Sequence, residues 1–285
     1  MALDTFPSLS LSSSLRGLQP SLLLSHTWRL ARLDLTLLFR NRMAFFTAIA
    51  FPLLLGSVAL LLRSGYVSGV STGLYTLTGM LALAGFFVTF MHLTTVFTVR
   101  REELVLKRMR GSVLSEAAIF AGSGLATTLV YVAQTAVLIT LSIVTLGGHL
   151  PRNPPLLFLG VVLGSVMFVP LAAALSGVTK SGESAQITVL PAMLVLAATS
   201  QASFPLTGMP EFLQRIAASM PLSPVVDVIR IGYFGLDITT AAPHPAVGFA
   251  ESWAVAAPRL LLIAAWIVAG TLIARRYFRW EPRHG

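Results

Sequence analysis

Six stretches of the chain, about 44–62, 73–98, 117–146, 155–178, 184–203 and 256–274, are apolar over roughly the 20 residues that a helix needs to cross a bilayer. None carries Asp, Glu, Lys or Arg away from its ends. In hydrocarbon every backbone N–H and C=O must be satisfied without water, which restricts stretches of this length to helices. Only 11% of the 285 residues are charged, where a soluble domain carries about a quarter. The expected fold class is an all-α membrane protein with six transmembrane helices, forming one transmembrane domain over 26–285.

Six crossings place both termini on the same side, and the basic residues say which. Fifteen of the 20 Lys and Arg fall before span 1, between spans 2 and 3, at Lys180, or in the tail with Arg275, Arg276, Arg279 and Arg283. The opposite side has Arg63, Arg152, Arg215, Arg230 and Arg259. Both termini are therefore expected in the cytoplasm of a multi-pass cell-membrane protein. The net charge of +9 then reflects topology and anionic headgroups, with no call for nucleic acid. Arg supplies 18 of the 20 basic residues, a bias pointing to a bacterium with a GC-rich genome. Without Cys there is neither a disulfide framework nor a thiol metal site.

Residues 1–25 are Ser- and Leu-rich, lack the basic start of a signal peptide, and are expected to be mobile. From His26 to Arg42 one helix carries two tracks. Leu30, Leu33 and Leu37, with Trp28 beside them, form an apolar track, and Arg29, Arg32, Thr36 and Arg40 a polar one, the pattern of a helix lying in the membrane interface. Pro52 is expected to kink span 1. In span 2, His92 has no carboxylate partner within any span, so a structural role outweighs a proton relay. Tyr131 and Gln134 in span 3 either contact cargo or bond to a neighbouring helix. Phe86, Phe87, Phe90 and Phe97 are open to core, lipid-facing or cargo-lining roles; Phe90, His92, Tyr131 and Gln134 are the candidates for a substrate path. Gly160 and Gly164 permit close helix approach in span 4, and TKSGES, Thr179 to Ser184, makes a tight turn.

Between spans 5 and 6 the spacing predicts two short amphipathic helices on the outer face. Pro210 marks the first, with Leu213, Ile216 and Met220 as its apolar face. Ser223 followed by Pro224 marks the second, whose apolar Val225, Val228 and Ile229 leave Asp227 and Arg230 facing elsewhere.

The segment Arg100 to Glu116, RREELVLKRMRGSVLSE, is too charged to cross a membrane. Leu106, Met109 and Val113 recur at helical spacing and Glu103 stands four residues before Lys107. This describes a short cytosolic helix able to dock on another protein, although basic residues at this place also simply fix topology. A phosphate-binding loop needs Gly directly before its Lys, but Lys107 follows Leu106 and Lys180 follows Thr179. The five histidines are scattered and no carboxylates are paired, so neither a metal site nor a catalytic constellation is expected.

Three stretches together resemble the type-2 ABC exporter permease family. They are the lead-in RLARLDLTLLFRNRMAFFTAIAFPLLL from Arg29 to Leu55, the charged segment, and FPLTGMPEFLQRIAASMPLSPVVDVIR from Phe204 to Arg230. In the charged segment the family pattern of a Glu, then Leu-Lys-Arg-Leu-Arg and a small residue maps onto Glu103, Leu106, Lys107, Arg108, Met109, Arg110 and Gly111. The chain departs from it at Leu104-Val105, where Gly-Thr is common, and at Val113, where Pro is common.

The resemblance implies a half-transporter, two copies of which form the pore above two copies of a separate ATPase. That ATPase would bind the ATP and Mg, and Arg101, Glu103, Leu106, Lys107, Arg108, Met109 and Arg110 would form the coupling helix docking into it. The expected cargo is a drug-like or other hydrophobic or amphiphilic compound, ahead of a polysaccharide or lipid. A secondary transporter would show intramembrane carboxylates or paired broken helices, which this chain lacks; a membrane scaffold is the remaining alternative.

Overall fold

The computed structural model describes residues 20–62, 65–67, 69–202, 210–237 and 244–281. Within these, ten helices follow in order. α1 is Pro20–Arg40. Six helices are long and apolar enough to cross a membrane: α2 (Arg42–Leu62), α3 (Thr72–Glu102), α5 (Glu116–Thr145), α6 (Pro154–Val178), α7 (Gly182–Thr199) and α10 (Phe249–Tyr277). The short helix α4 is Val105–Arg110, and α8 (Glu211–Ser219) and α9 (Leu222–Phe234) lie between α7 and α10. Two-residue strands β1 (Tyr66–Val67) and β2 (Val70–Ser71) pair antiparallel in the α2–α3 turn. The helices α1 and α4 and the tail gather at one end, the arginine-rich end; α8 and α9 occupy the other, the loop end.

Helix α3 forms the centre of the bundle. It is buried over 72% of its most apolar window, against 17% for α7 and α10. Midway along it a π-helical turn, Phe86–Met91, brings Phe86 and Phe90 against Phe168 of α6, while Phe87 packs between Phe86 and Phe51 of α2. The Phe86 ring stands 5.0 Å from Phe90 and 5.8 Å from Phe168. Phe97 is buried as well, against Phe120 and Phe278. All four phenylalanines are therefore core.

Span 1 shows how a proline is accommodated in hydrocarbon. Pro52 has no N–H, so the carbonyl four residues earlier, on Ala48, loses its ladder partner. The preceding turn, Phe46–Ala50, is π-helical. Gln134 of α5 donates its amide to Ala48 O at 3.0 Å and Ile49 O at 3.2 Å. This re-satisfies the opened turn and joins α5 to α2.

At the loop end the glycines of span 4 admit α9, not another span. A Cβ on Gly160 would stand 2.7 Å from Val228, and one on Gly164 2.9 Å from Val225. α9 begins one residue before Ser223, and every one of its residues except Asp227 is buried. Arg230, read from the spacing as facing away, is the largest fully buried side chain. It donates to the carbonyls of Tyr75 (3.1 Å) and Gln201 (2.7 Å) and lies over the Tyr75 ring at 3.6 Å. Asp227 pairs instead with Arg259 of α10 at 3.5 Å. On α8, Phe212, Leu213 and Ile216 are exposed, and Trp266 of α10 donates to Ser219 O at the end of that helix. Phe204 to Met209, part of the third family-like stretch, lies outside the described residues.

Candidate functional site

The last turn of α3 carries Arg100, Arg101 and Glu102 in succession. Consecutive residues of a helix point about 100° apart, so the three side chains fan out to different neighbours. Arg100 pairs with Asp34 of α1, and Ser123 of α5 completes the group, donating to Asp34 Oδ2 at 2.6 Å and accepting from Arg100 at 3.2 Å. Arg101 is buried and donates to Ser176 O and, at 2.6 Å, to Thr179 O, at the end of α6. The last carbonyls of a helix have no partner within it, and a cation there also meets the negative end of the dipole. Glu102 accepts from Gly182 N at 2.9 Å, the mirror arrangement at the start of α7. One turn of span 2 thus holds α1, α5, α6 and α7.

The segment that follows is not one helix. α3 ends at Glu102 and Leu104 adopts the left-handed conformation at φ 60°. Such a conformation is disfavoured for a branched side chain and breaks the helix. α4 then turns a single apolar face inward: Leu106 is fully buried with Leu30, Ala118 and Ile119, bordered by Met109, Phe278 and Trp280. Lys107 pairs with Glu281 at 3.1 Å and Arg110 with Glu116 at 2.9 Å, and the Arg110 guanidinium stands 5.1 Å from the Trp280 ring centroid. Glu103, Leu104, Lys107, Arg108 and Val113 remain on the outside, with Val113 87% exposed. Of the residues assigned to docking from the sequence, Arg101 and Leu106 therefore face inward, positioning the segment, while Glu103, Lys107, Arg108 and Arg110 present the surface.

α1 starts at Pro20, inside the stretch expected to be mobile. It packs on α5 through Leu30, Ala31, Asp34 and Leu38, where a Cβ on Gly122 would stand 2.6 Å from Leu30 Cβ. Leu33, Leu37 and Trp28 are exposed beside the exposed Arg29, Arg32 and Arg40. The apolar track read from the sequence is thus divided: Leu30 packs on protein, and Leu33 and Leu37 do not.

The four residues named for a substrate path do not form one site. Phe90 belongs to the aromatic core and Gln134 serves span 1. Tyr131 is buried against Gly85, where a Cβ would meet its ring at 2.5 Å. His92 is half-buried on α3. Asp34, Glu102, Ser123 and Thr179, which build the junction, were not identified from the sequence. Asp34 offered a signal, as the lone acid on a helix whose other charges are arginines.

Comparison with curated proteins returns no match. A sequence model of the ABC-2 family transporter proteins matches residues 59–275, well over half of the chain, from the end of α2 through α10 and including α4 and the junction before it. The lead-in with α1 precedes the matched region. With six apolar helices and this match, the chain belongs to the ABC-2 transporter family, as a multi-pass membrane permease.

Proposed function

We propose that this permease moves a hydrophobic or amphiphilic compound, such as a drug or antibiotic, out of a bacterial cell, driven by ATP that a separate subunit hydrolyses. The observation that carries this reading is the junction at Arg100–Glu102, which ties the exposed segment around α4 to α1, α6 and α7 by charged and main-chain hydrogen bonds. Coupling requires an element whose position both sites can bias. A short helix with a buried inner face and a charged outer face, set directly on such a junction, has that form.

In this reading the arginine-rich end is cytoplasmic, which the distribution of basic residues supports. The ATPase, with its ATP and Mg, receives Glu103, Lys107, Arg108 and Arg110. This chain supplies no catalytic group of its own. A second copy packs across the face that includes α7, which touches the rest of the bundle mainly through α3 and exposes Ile187, Leu190 and Leu194. The α8–α9 hairpin closes the outer end. The absence of charge within the spans suits apolar cargo and disfavours ions.

The test is purification from the native membrane in mild detergent. A P-loop ATPase is expected in equal stoichiometry, released by joint reversal of charge at Lys107 and Arg108, with membrane insertion retained and efflux lost. Efflux at the normal rate in that variant, or no ATPase in several detergents, would overturn the reading.

A further inference from the structure

Helices α5 and α10 both pack on α6 and little on each other. The space between them is a groove of about 1020 Å³ with α6 as its floor, at the upper end of the range of small-molecule sites. Along α5 it runs from Glu116 to Thr128, which at 1.5 Å per residue is about 18 Å. Half of a bilayer's hydrocarbon is about 15 Å thick, so the groove is as long as one leaflet is deep.

Its interior is apolar, lined by Leu125, Val162, Val166, Val169 and Ile267. The hydroxyls of Thr128 and Thr271 are already engaged, donating to Gly124 O at 2.8 Å and Ile267 O at 2.7 Å. At the mouth the chemistry changes to Arg110, Arg275 and the Trp280 ring. Arg110 shares its charge with Glu116, while the exposed Arg275 has no acidic partner among the described residues.

We infer that this groove holds an anionic phospholipid of the leaflet at the arginine-rich end, with an acyl chain along α6 between α5 and α10 and the phosphate at Arg275 and Arg110. An apolar trough of one-leaflet length fits an acyl chain. Cations at its mouth select a headgroup of net negative charge, and an indole ring such as that of Trp280 favours the headgroup level. The mouth includes α4 through Arg110, so the headgroup touches the segment proposed to dock the ATPase. The lipid site itself does not depend on that docking.

The full chain, reconstituted in nanodiscs of equal parts phosphatidylglycerol and phosphatidylcholine and released into mild detergent, is examined by native mass spectrometry. Phosphatidylglycerol is expected to be retained over phosphatidylcholine by about tenfold. Arg275→Glu removes that preference, and Ala121→Trp, at an exposed groove position, removes both lipids. Because the tryptophan could impair folding, thermal unfolding supplies a second readout: phosphatidylglycerol raises the Tm of the native protein and not that of the Arg275→Glu variant. Equal retention of the two lipids, or an unchanged preference in Arg275→Glu, overturns the inference. So does a change of oligomeric state in Ala121→Trp with lipid retention intact, which would make the groove a contact between copies.

Discussion

The arginine-rich end and the loop end share a device, a buried arginine that donates to main-chain carbonyls where helices begin or stop, and they set it in opposite surroundings. Arg230 sits inside a helix buried at every residue but Asp227, reaching Tyr75 O in the first turn of α3 and Gln201 O beyond the end of α7. Arg101 sits one residue from an ion pair and three residues from a left-handed break leading to an exposed helix. The contrast separates anchoring from transmission. At the loop end the guanidinium completes a plug among apolar side chains; at the other it joins a charged surface to the spans.

The comparison can be broken from either side. Arg230→Leu leaves buried carbonyls without donors and is expected to have the largest effect, a destabilisation of about 4 kcal/mol, read by thermal unfolding in detergent. Asp34→Ala strands the charge of Arg100 and is expected to lower stability by about 3 kcal/mol. A double-mutant cycle with Arg100→Ala should return most of that as coupling energy, and independent effects of the two changes would show that α1 is not held through this pair. Gly164→Leu, which crowds Val225 and lifts α9 from α6, should cost about 2 kcal/mol by the same measurement while ATPase binding is kept. The smallest effect on stability belongs to Lys107→Ala. Its ion pair is exposed and contributes less than about 1 kcal/mol, yet ATPase retention should fall. Loss of retention without loss of stability is what a transmitting surface predicts.

The spans were legible because an apolar run of that length in a chain so poor in charge admits one solution; the bounds of the first five moved by at most four residues, while α10 begins seven residues before the apolar run at 256. The presence of two short helices at the loop end was also legible from Pro210 and Pro224, but the second begins at Leu222 and is buried at every residue but Asp227, not amphipathic. Arg230 was not, since helical spacing shows only that an arginine leaves the apolar stripe, and the carbonyls that receive it come from two distant segments. The charged segment read as one helix because nothing in Leu104 announces a left-handed residue; a glycine there would have. Gln134 was left between two roles although half of the answer lay in span 1. A proline in hydrocarbon frees a carbonyl that some donor must meet, and a lone amide in another span is a natural candidate. The junction at Arg100–Glu102 was hidden for a different reason: three charges in a row look like a topology signal, and only the packing of α1, α6 and α7 around them gives each a separate partner.

That junction places a restriction on length as well as on side chains. Its three contacts depend on consecutive positions keeping their angles around one helix. One residue added or removed between Met91 and Arg100 would rotate the triplet by about 100° and shift it by about 1.5 Å along the axis, aiming Arg100, Arg101 and Glu102 away from all three partners together. Substitutions here can be examined one contact at a time. A single-codon insertion or deletion would disconnect α1, α6 and α7 in one step, while leaving the span apolar and long enough to cross the membrane.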